Sequence, residues 1–324
     1  MRTKNELYQE ALRTIAARRQ TARALAEDAR AEAEAVIPAL RHAEEEVRVR
    51  GIRCALAGAS GKDRTAANAA LTEAKQKLAA LLAASGRPAD ALEPKFTCKK
   101  CQDTGVVDGR TCSCVHKVMQ ALRRKEIEGL SSLSISSFDT MKLSYYPNVI
   151  DPALGLNVRT YMGQLLAGLK NYAEDFSPAE NESLMLVGNA GLGKTHAALA
   201  IAGIVLDKGY DVIYVSSPDF FGKMEASRFD PSGDADTLLR TAATADLLIL
   251  DDLGTEFVTP YFITTFYSLL NNRLGAGLPT IVTTNITDGS LLEKRYTEKL
   301  SSRLSAFVPF NFVGEDIRAQ KASE

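Results

Sequence analysis

The run Leu184-Met185-Leu186-Val187-Gly188-Asn189-Ala190-Gly191-Leu192-Gly193-Lys194-Thr195-His196 decides the fold of this chain. Its first four residues are apolar without alternation, as in a strand buried on both faces. Residues 188–195 fit G-x-x-x-x-G-K-[ST], the phosphate-binding loop that joins such a strand to a helix. The chemistry demands these residue types. Glycines let backbone N–H groups turn inward and approach phosphates closely. Lys194 supplies a cation for the β- and γ-phosphates, and the Thr195 hydroxyl can coordinate Mg2+. The start of the following helix adds its dipole. Gly188, Asn189, Ala190, Gly191, Leu192, Gly193, Lys194, Thr195 and His196 are therefore the expected contacts of bound ATP.

Downstream, Asp246-Leu247-Leu248-Ile249-Leu250-Asp251-Asp252 is an apolar strand that ends in two acids. Carboxylates at the C-terminal end of a strand face the crevice where ligands bind in open α/β sheets. Asp251 is expected to hold Mg2+ together with Thr195, and Asp252 to orient or polarise the attacking water. A further strand at 280–283 leads to Asn285, whose amide could position that water. A turn or helix-capping asparagine would read the same way. The apolar runs at 184–187, 212–215, 247–250 and 280–283 alternate with helical stretches such as 194–208 and 260–274. That alternation implies an α/β fold with a doubly wound parallel sheet.

The sequence before this region has a different character. Residues 1–50 are rich in Ala, Glu and Arg, with Leu7, Leu12 and Ile15 at helical spacing. Glycines and Ser60 at 51–62 read as a break, and 65–84 is helical again, so 1–90 is expected to form a helical hairpin. Its charges balance, which fits a solvated arm as well as a partner-binding adaptor. After a linker at 85–94, Cys98-Lys99-Lys100-Cys101 and Cys112-Ser113-Cys114 place four cysteines within seventeen residues. Thiolates at this spacing suit a tetrahedral structural Zn2+. The second pair is one residue tighter than a usual knuckle, so His116 could replace one cysteine. Asp108-Gly109 between the pairs marks a tight hairpin turn. The zinc-binding module is expected over 95–130, ending in a basic helix. Lys95, Lys99, Lys100, Arg110, Lys117, Arg123, Arg124 and Lys125 could meet nucleic acid or an acidic protein, or could simply be solvated. The lone Cys54 reads as a small buried side chain.

The loop, the Leu248-Ile249-Leu250-Asp251-Asp252-Leu253-Gly254 block, the strand to Asn285 and Leu300-Ser301-Ser302-Arg303-Leu304 together resemble an AAA+ ATPase of the DnaC/DnaI-type replicative helicase loaders. The IstB transposition ATPases share the pattern. The resemblance covers roughly 138–318 and implies an ATPase domain over 138–324. It implies that Lys194 and Thr195 form the Walker A pair, Asp251 and Asp252 the Walker B pair, Asn285 sensor 1, and Arg303 an arginine finger acting on a neighbouring subunit's nucleotide. A surface helix arginine would look the same. Asp252 departs from the more general Asp-Glu, and its shorter arm could slow hydrolysis. No full helical lid is expected after Arg303, as in the loader branch, and Arg318 is a candidate for a sensor-2-like role. Residues 218–237 are expected to hold an extra helix, where Phe220, Phe221, Lys223, Arg228 and Phe229 could contact single-stranded DNA or lie in the core.

The resemblance implies a helicase loader in DNA replication that binds the replicative helicase through 1–90 and self-associates through Arg303. A transposition helper and a nucleotide-switched adaptor with little hydrolysis stay open. Composition narrows the remaining classes. The formal net charge of −1 gives no global attraction to nucleic acid or membrane. No apolar run reaches membrane-spanning length, and the N-terminus lacks an apolar leader, so a cytoplasmic protein without disulfides is expected.

Overall fold

The computed structural model describes residues 1–59, 64–130, 135–153, 155–227 and 234–322. Contacts divide the chain into two units, Leu12–Val115 and Met1–Ala11 with His116–Glu324.

The first unit is mostly helical, built from α1 (Lys4–Val36, which begins outside it), α2 (Leu40–Ala59) and α3 (Thr65–Ala84). The first break falls at 37–39, not at 51–62. Pro38 removes a helical N–H donor and disfavours helix in the residue before it. Gly51 and Gly58 instead lie inside α2, where each costs only about 1 kcal/mol relative to alanine. Residues 60–63 of the expected break lie outside the described residues. The α2 and α3 helices run antiparallel. Arg50 donates to the Ala70 carbonyl and the Cys54 thiol to Asn68 Oδ1, both at 2.8 Å. Ala33, Ile37, Leu40, Leu82 and Leu92 close a small core. Two short strands, β1 (Val106–Val107) and β2 (Arg110–Thr111), form an antiparallel hairpin. Its turn residues Asp108 and Gly109 have φ of 50° and 74°, the left-handed backbone a two-residue hairpin needs.

The second unit takes in most of α4 (Ser113–Leu130) and all of α5 (Val158–Glu174), followed by a parallel sheet. Its strands are β3 (Leu184–Val187), β4 (Val212–Ser216), β5 (Leu247–Leu253), β6 (Thr280–Thr284) and β7 (Val308–Asn311), in the spatial order β4-β5-β6-β3-β7. The intervening helices are α6 (Lys194–Asp207), α7 (Ser217–Ala226), α8 (Asp234–Thr244), α9 (Pro260–Gly275) and α10 (Gly289–Leu304), and α11 (Ile317–Ala322) follows the sheet. Successive strand residues feed two cores. Leu184, Leu186, Val212, Leu247 and Ile249 meet α5 and α6 on one face. Met185, Val187, Ile213, Leu248 and Leu250 meet α7 to α10 on the other. Burial on both faces explains the unbroken apolar runs. The β7 strand escaped the pattern because it is a short edge strand carrying Pro309.

Arg273 holds the far end of this sheet together. It is fully buried on α9 and donates to Ala242 O, Ala245 O and Pro279 O at 2.7, 2.8 and 2.6 Å, and to Thr280 Oγ1 at 2.9 Å. Burial pulls its pKa down to about 10. Arg273→Ala would leave these acceptors unpaired around a cavity, and should lower unfolding stability by about 3 kcal/mol. Urea denaturation checks this. Arg273→Lys should recover little, because one ammonium cannot reproduce the planar fork.

Candidate functional site

The chain passes from β3 to the far edge at β4 and returns through β5 and β6 to lie beside β3. That reversal of strand order opens a crevice at the carboxyl ends of β3 and β6, and the three predicted segments converge there. Gly188 has a φ of 151°, and a Cβ on it would sit 2.5 Å from the Phe312 carbonyl, so no other residue fits. Gly193 begins α6 in the left-handed region without a side-chain cap, which leaves the first helical N–H groups aimed at the loop's concavity.

Lys194 Nζ donates to Gly188 O, Asn189 O and Asn285 Oδ1 at 2.6, 2.7 and 2.7 Å. The amide predicted to position water is thus tied to the P-loop lysine. Thr195 Oγ1 donates to Asp251 Oδ1 at 3.0 Å. Asp251 also accepts from Thr283 Oγ1 at 2.6 Å and, through Oδ2, from Tyr214 at 2.7 Å. Local sequence offered no signal for the last two contacts, since hydroxyls on neighbouring strands become partners only through sheet order.

Adjacent strand residues ordinarily point to opposite faces. Here β5 bulges. Leu250 pairs with Val282 but Leu253 with Thr284, so β5 carries one extra residue at its acidic end. Asp252 adopts φ of 58°, and its N–H donates to Thr283 Oγ1 at 2.9 Å. The bulge re-aims Asp252 into the cleft, so both acids act on Lys194. Burial, and then the charge of Asp251, raises the Asp252 pKa, with Lys194 and Arg318 opposing. That shift makes the carboxylate a better proton acceptor.

The cleft holds about 280 Å3 and is lined by residues 190–196, Asp252, Thr255, Asn285, Ile317 and Arg318, with a wall from Thr140, Met141, Lys142, Tyr145 and Tyr146. That wall precedes the phosphate loop by some forty residues and carries no motif. Tyr146 OH donates to Leu192 O at 2.9 Å, and the Thr140 hydroxyl meets His196 Nε2 at 2.9 Å. From the other side the Ile317 N–H donates to Gly191 O at 3.1 Å. Arg303 lies outside this cleft. Its guanidinium packs over the Tyr267 ring at 5.3 Å and bonds the Tyr267 hydroxyl at 3.1 Å.

Oxygen donors from Thr195 and Asp251, brought together beside the phosphate loop, are the hard ligand set Mg2+ takes. Burial depresses the Lys194 pKa from 10.5 to about 8, against the pull of Asp252 and Asp251. The charged ammonium therefore destabilises the ligand-free fold at neutral pH, and this cost is relieved as pH rises from about 8 towards 10.5. Phosphates brought beside it raise the pKa again. ATP binding should take up protons above pH 8 and weaken as pH rises further. Calorimetry in buffers of different ionisation enthalpy reads the uptake, which Lys194→Met should abolish.

The four cysteines converge as a second site. Cys98, Cys101, Cys112 and Cys114 place their sulfurs within 4.8 Å of one another. The Cys98–Cys112 and Cys101–Cys114 separations are 3.8 and 3.5 Å, against about 3.8 Å for two thiolates on a tetrahedral Zn2+. All five cysteines are free thiols, and the cluster forms without His116. Asp103, which spacing did not single out, is buried and accepts from the Thr97 and Cys98 N–H groups, both at 2.8 Å. It orients the first cysteine as outer partners orient metal ligands elsewhere.

Some expected contacts fall elsewhere. Phe220 and Phe221 are 1% and 3% exposed, and Phe221 packs against Phe262 at 4.5 Å between ring centroids. They belong to the core because α7 turns its apolar face onto the sheet, leaving Lys223 exposed. Arg228 and Phe229 lie outside the described residues. Arg123 is 1% exposed and paired with Asp211 and Glu126, and Arg124 pairs with Asp207, so neither belongs to an open basic face. Lys99, Lys100 and Arg110 remain exposed. No helix among the described residues is long and apolar enough to cross a membrane.

Residues 167–297 match the family model described as IstB-like ATP binding protein. That match covers two fifths of the chain, and there the chain is similar to IstB-like ATP-binding proteins. With its phosphate loop, acidic strand and parallel sheet, this region has a P-loop α/β fold. The replicative helicase loader DnaC of Escherichia coli K12 is 25% identical over 150 residues, covering 45% of this chain and 61% of DnaC. The replicative helicase loader DnaI of Bacillus subtilis is 30% identical over 124 residues, 38% of each chain. A crystal structure of the DnaC helicase loader superposes with a TM-score of 0.46 at 21% identity, over 55% of this chain and 97% of that one. These matches span under two thirds of the curated relatives' length.

Proposed function

We propose that this chain hydrolyses ATP at a site shared between neighbouring copies and uses the cycle to load a replicative helicase onto single-stranded DNA. The observation that carries the reading is the joint tether of Lys194 to Asn285 and of Thr195 to Asp251. Three segments far apart in sequence are thereby arranged around one phosphate position. Lys194 and the loop N–H groups hold the β- and γ-phosphates, Asn285 and Asp252 orient water for in-line attack, and Asp252 accepts its proton. Thr195 and Asp251 would hold Mg2+, which supplies charge neutralisation when bound. Arg303, outside its own cleft, is free of that geometry and serves a neighbour's γ-phosphate. The thiolates of Cys98, Cys101, Cys112 and Cys114 would hold Zn2+ as a structural ion. Residues 1–90 act as the adaptor for the helicase, and exposed Lys99, Lys100 and Arg110 meet the DNA backbone.

The likeness to DnaC and DnaI, together with the appended helices and cysteine module, supports the helicase-loading reading. A second reading, a transposition helper, is favoured by the IstB-like family model and by a relative named for insertion sequence IS5376, 26% identical over 145 residues. Affinity capture of the full chain against a replicative helicase and against a transposase separates the two. Capture of the transposase alone would reject loading. The shared site has its own check. Lys194→Ala and Arg303→Ala should each lose turnover, and mixing them should restore part of it, since each supplies what the other lacks. No recovery on mixing would reject a finger acting between copies.

A further inference from the structure

Glu256 is a buried carboxylate that the chemistry above does not use. Its side chain is 2% exposed, yet it lies only four residues beyond Asp252. Its oxygens gather donors from three elements. Oε2 accepts from the Gly254 N–H at 3.0 Å, in the turn that follows the acidic strand. It also accepts from Ser217 Oγ at 3.0 Å, at the start of α7. Oε1 accepts a short bond from Tyr296 OH on α10, with Arg295 Nε 3.5 Å away. Arg295 also donates to the Glu256 carbonyl at 2.5 Å.

The Tyr296 contact sits at a break. Thr297 interrupts α10 with φ of 71° and ψ of 153°, a backbone region that is essentially reserved for glycine. Such strain persists only where surrounding contacts enforce it. The anchored Tyr296 lies on one side of the break, and the turn bearing buried Leu300 and Arg303 lies on the other. The same carboxylate thus pins the turn that sets Asp252 and the residue where the Arg303 arm pivots. A carboxylate that served packing alone would not need its donors at these two points.

We propose that Glu256 is a positioning residue that couples the acidic end of β5 to the arm of α10 bearing Arg303. The shift of Asp252 and Asp251 as phosphate arrives would pass through the Gly254 turn and Glu256 to the Thr297 pivot, and so adjust the arm presented to a neighbouring copy. This rests on the shared-site reading of Arg303.

The test is a double-mutant cycle in the full chain. Tyr296→Phe removes one hydroxyl and little else. Alone, it should lower kcat about tenfold and leave the KM for ATP unchanged. In an Arg303→Ala background it should cost less than about twofold, because the arm no longer carries the finger. An equal loss in both backgrounds would mean a structural role and would overturn the coupling while leaving the shared site intact. Unchanged turnover in Arg303→Ala alone would instead overturn the shared-site reading, and the coupling with it. If Arg303→Ala is too slow to assay, the same cycle is read in the fold by which ATP strengthens self-association in sedimentation velocity. Glu256→Gln, which keeps the side-chain volume, is the second variant if Tyr296→Phe does not fold, and the same criterion applies to it.

Discussion

Lys194→Ala is expected to lower kcat/KM for ATP hydrolysis at least a thousandfold, about 4 kcal/mol of transition-state stabilisation. The size follows from where the ammonium sits. It is buried and held by two loop carbonyls and Asn285, so its charge acts on phosphate through a poorly screening medium. Removing it takes away a donor that strengthens as charge builds on the γ-phosphoryl oxygens. It also releases Asn285 from its side-chain tether to the loop. The loss should therefore appear in kcat as well as KM. Phosphate release under saturating ATP measures it, with stability followed in parallel. A loss below tenfold would contradict the assigned geometry. Lys194→Arg should not rescue, because the longer planar guanidinium does not fit three converging acceptors.

Removal of zinc should have the other large effect, confined to the cysteine module. The two-residue strands β1 and β2 and the turns around them bury little apolar area, so they cannot offset their ordering entropy alone. Metal binding to thiolate sets of this kind contributes about 10–16 kcal/mol of apparent free energy near pH 7. The chain purified without oxygen should carry one equivalent of zinc. A strong chelator, or Cys98→Ser with Cys101→Ser, should abolish amide protection over 96–115, while ATP binding in the other unit is retained. Metal analysis and hydrogen exchange read both. Less than half an equivalent in the untreated protein would reject the four-thiolate site. Asp103→Ala should weaken zinc about 10–100-fold without removing a ligand, as loss of an outer partner does.

The phosphate loop, the acidic strand and the strand to Asn285 were readable as text because each is local. Glycines at required turns, a lysine after them and apolar runs between polar ends carry their meaning within a few residues. The four cysteines were readable for the same reason, since a cluster built on a short hairpin draws its members from nearby. Alternation of runs and helices was enough to name a doubly wound parallel sheet.

What needed the folded chain depends on residues far apart in sequence or on backbone the pattern does not encode. A bulge turns Asp252 into the cleft beside Asp251, although adjacent strand residues otherwise face apart. Sheet order brings Tyr214 and Thr283 onto Asp251. Packing of α7 puts Phe220 and Phe221 in the core, although the same aromatic-rich string also admits a DNA-contacting face. Pro38 and the tolerance of α2 for Gly51 moved the first helical break, because tertiary contacts outweigh a penalty of about 1 kcal/mol. Glu256 followed an Asp-Asp-Leu-Gly-Thr string as an ordinary surface acid would. Only the convergence of Gly254, Ser217 and Tyr296 on its carboxylate made it a buried joint between the acidic strand and α10. Motifs describe what one segment can bind, whereas the fold decides which segments act on each other.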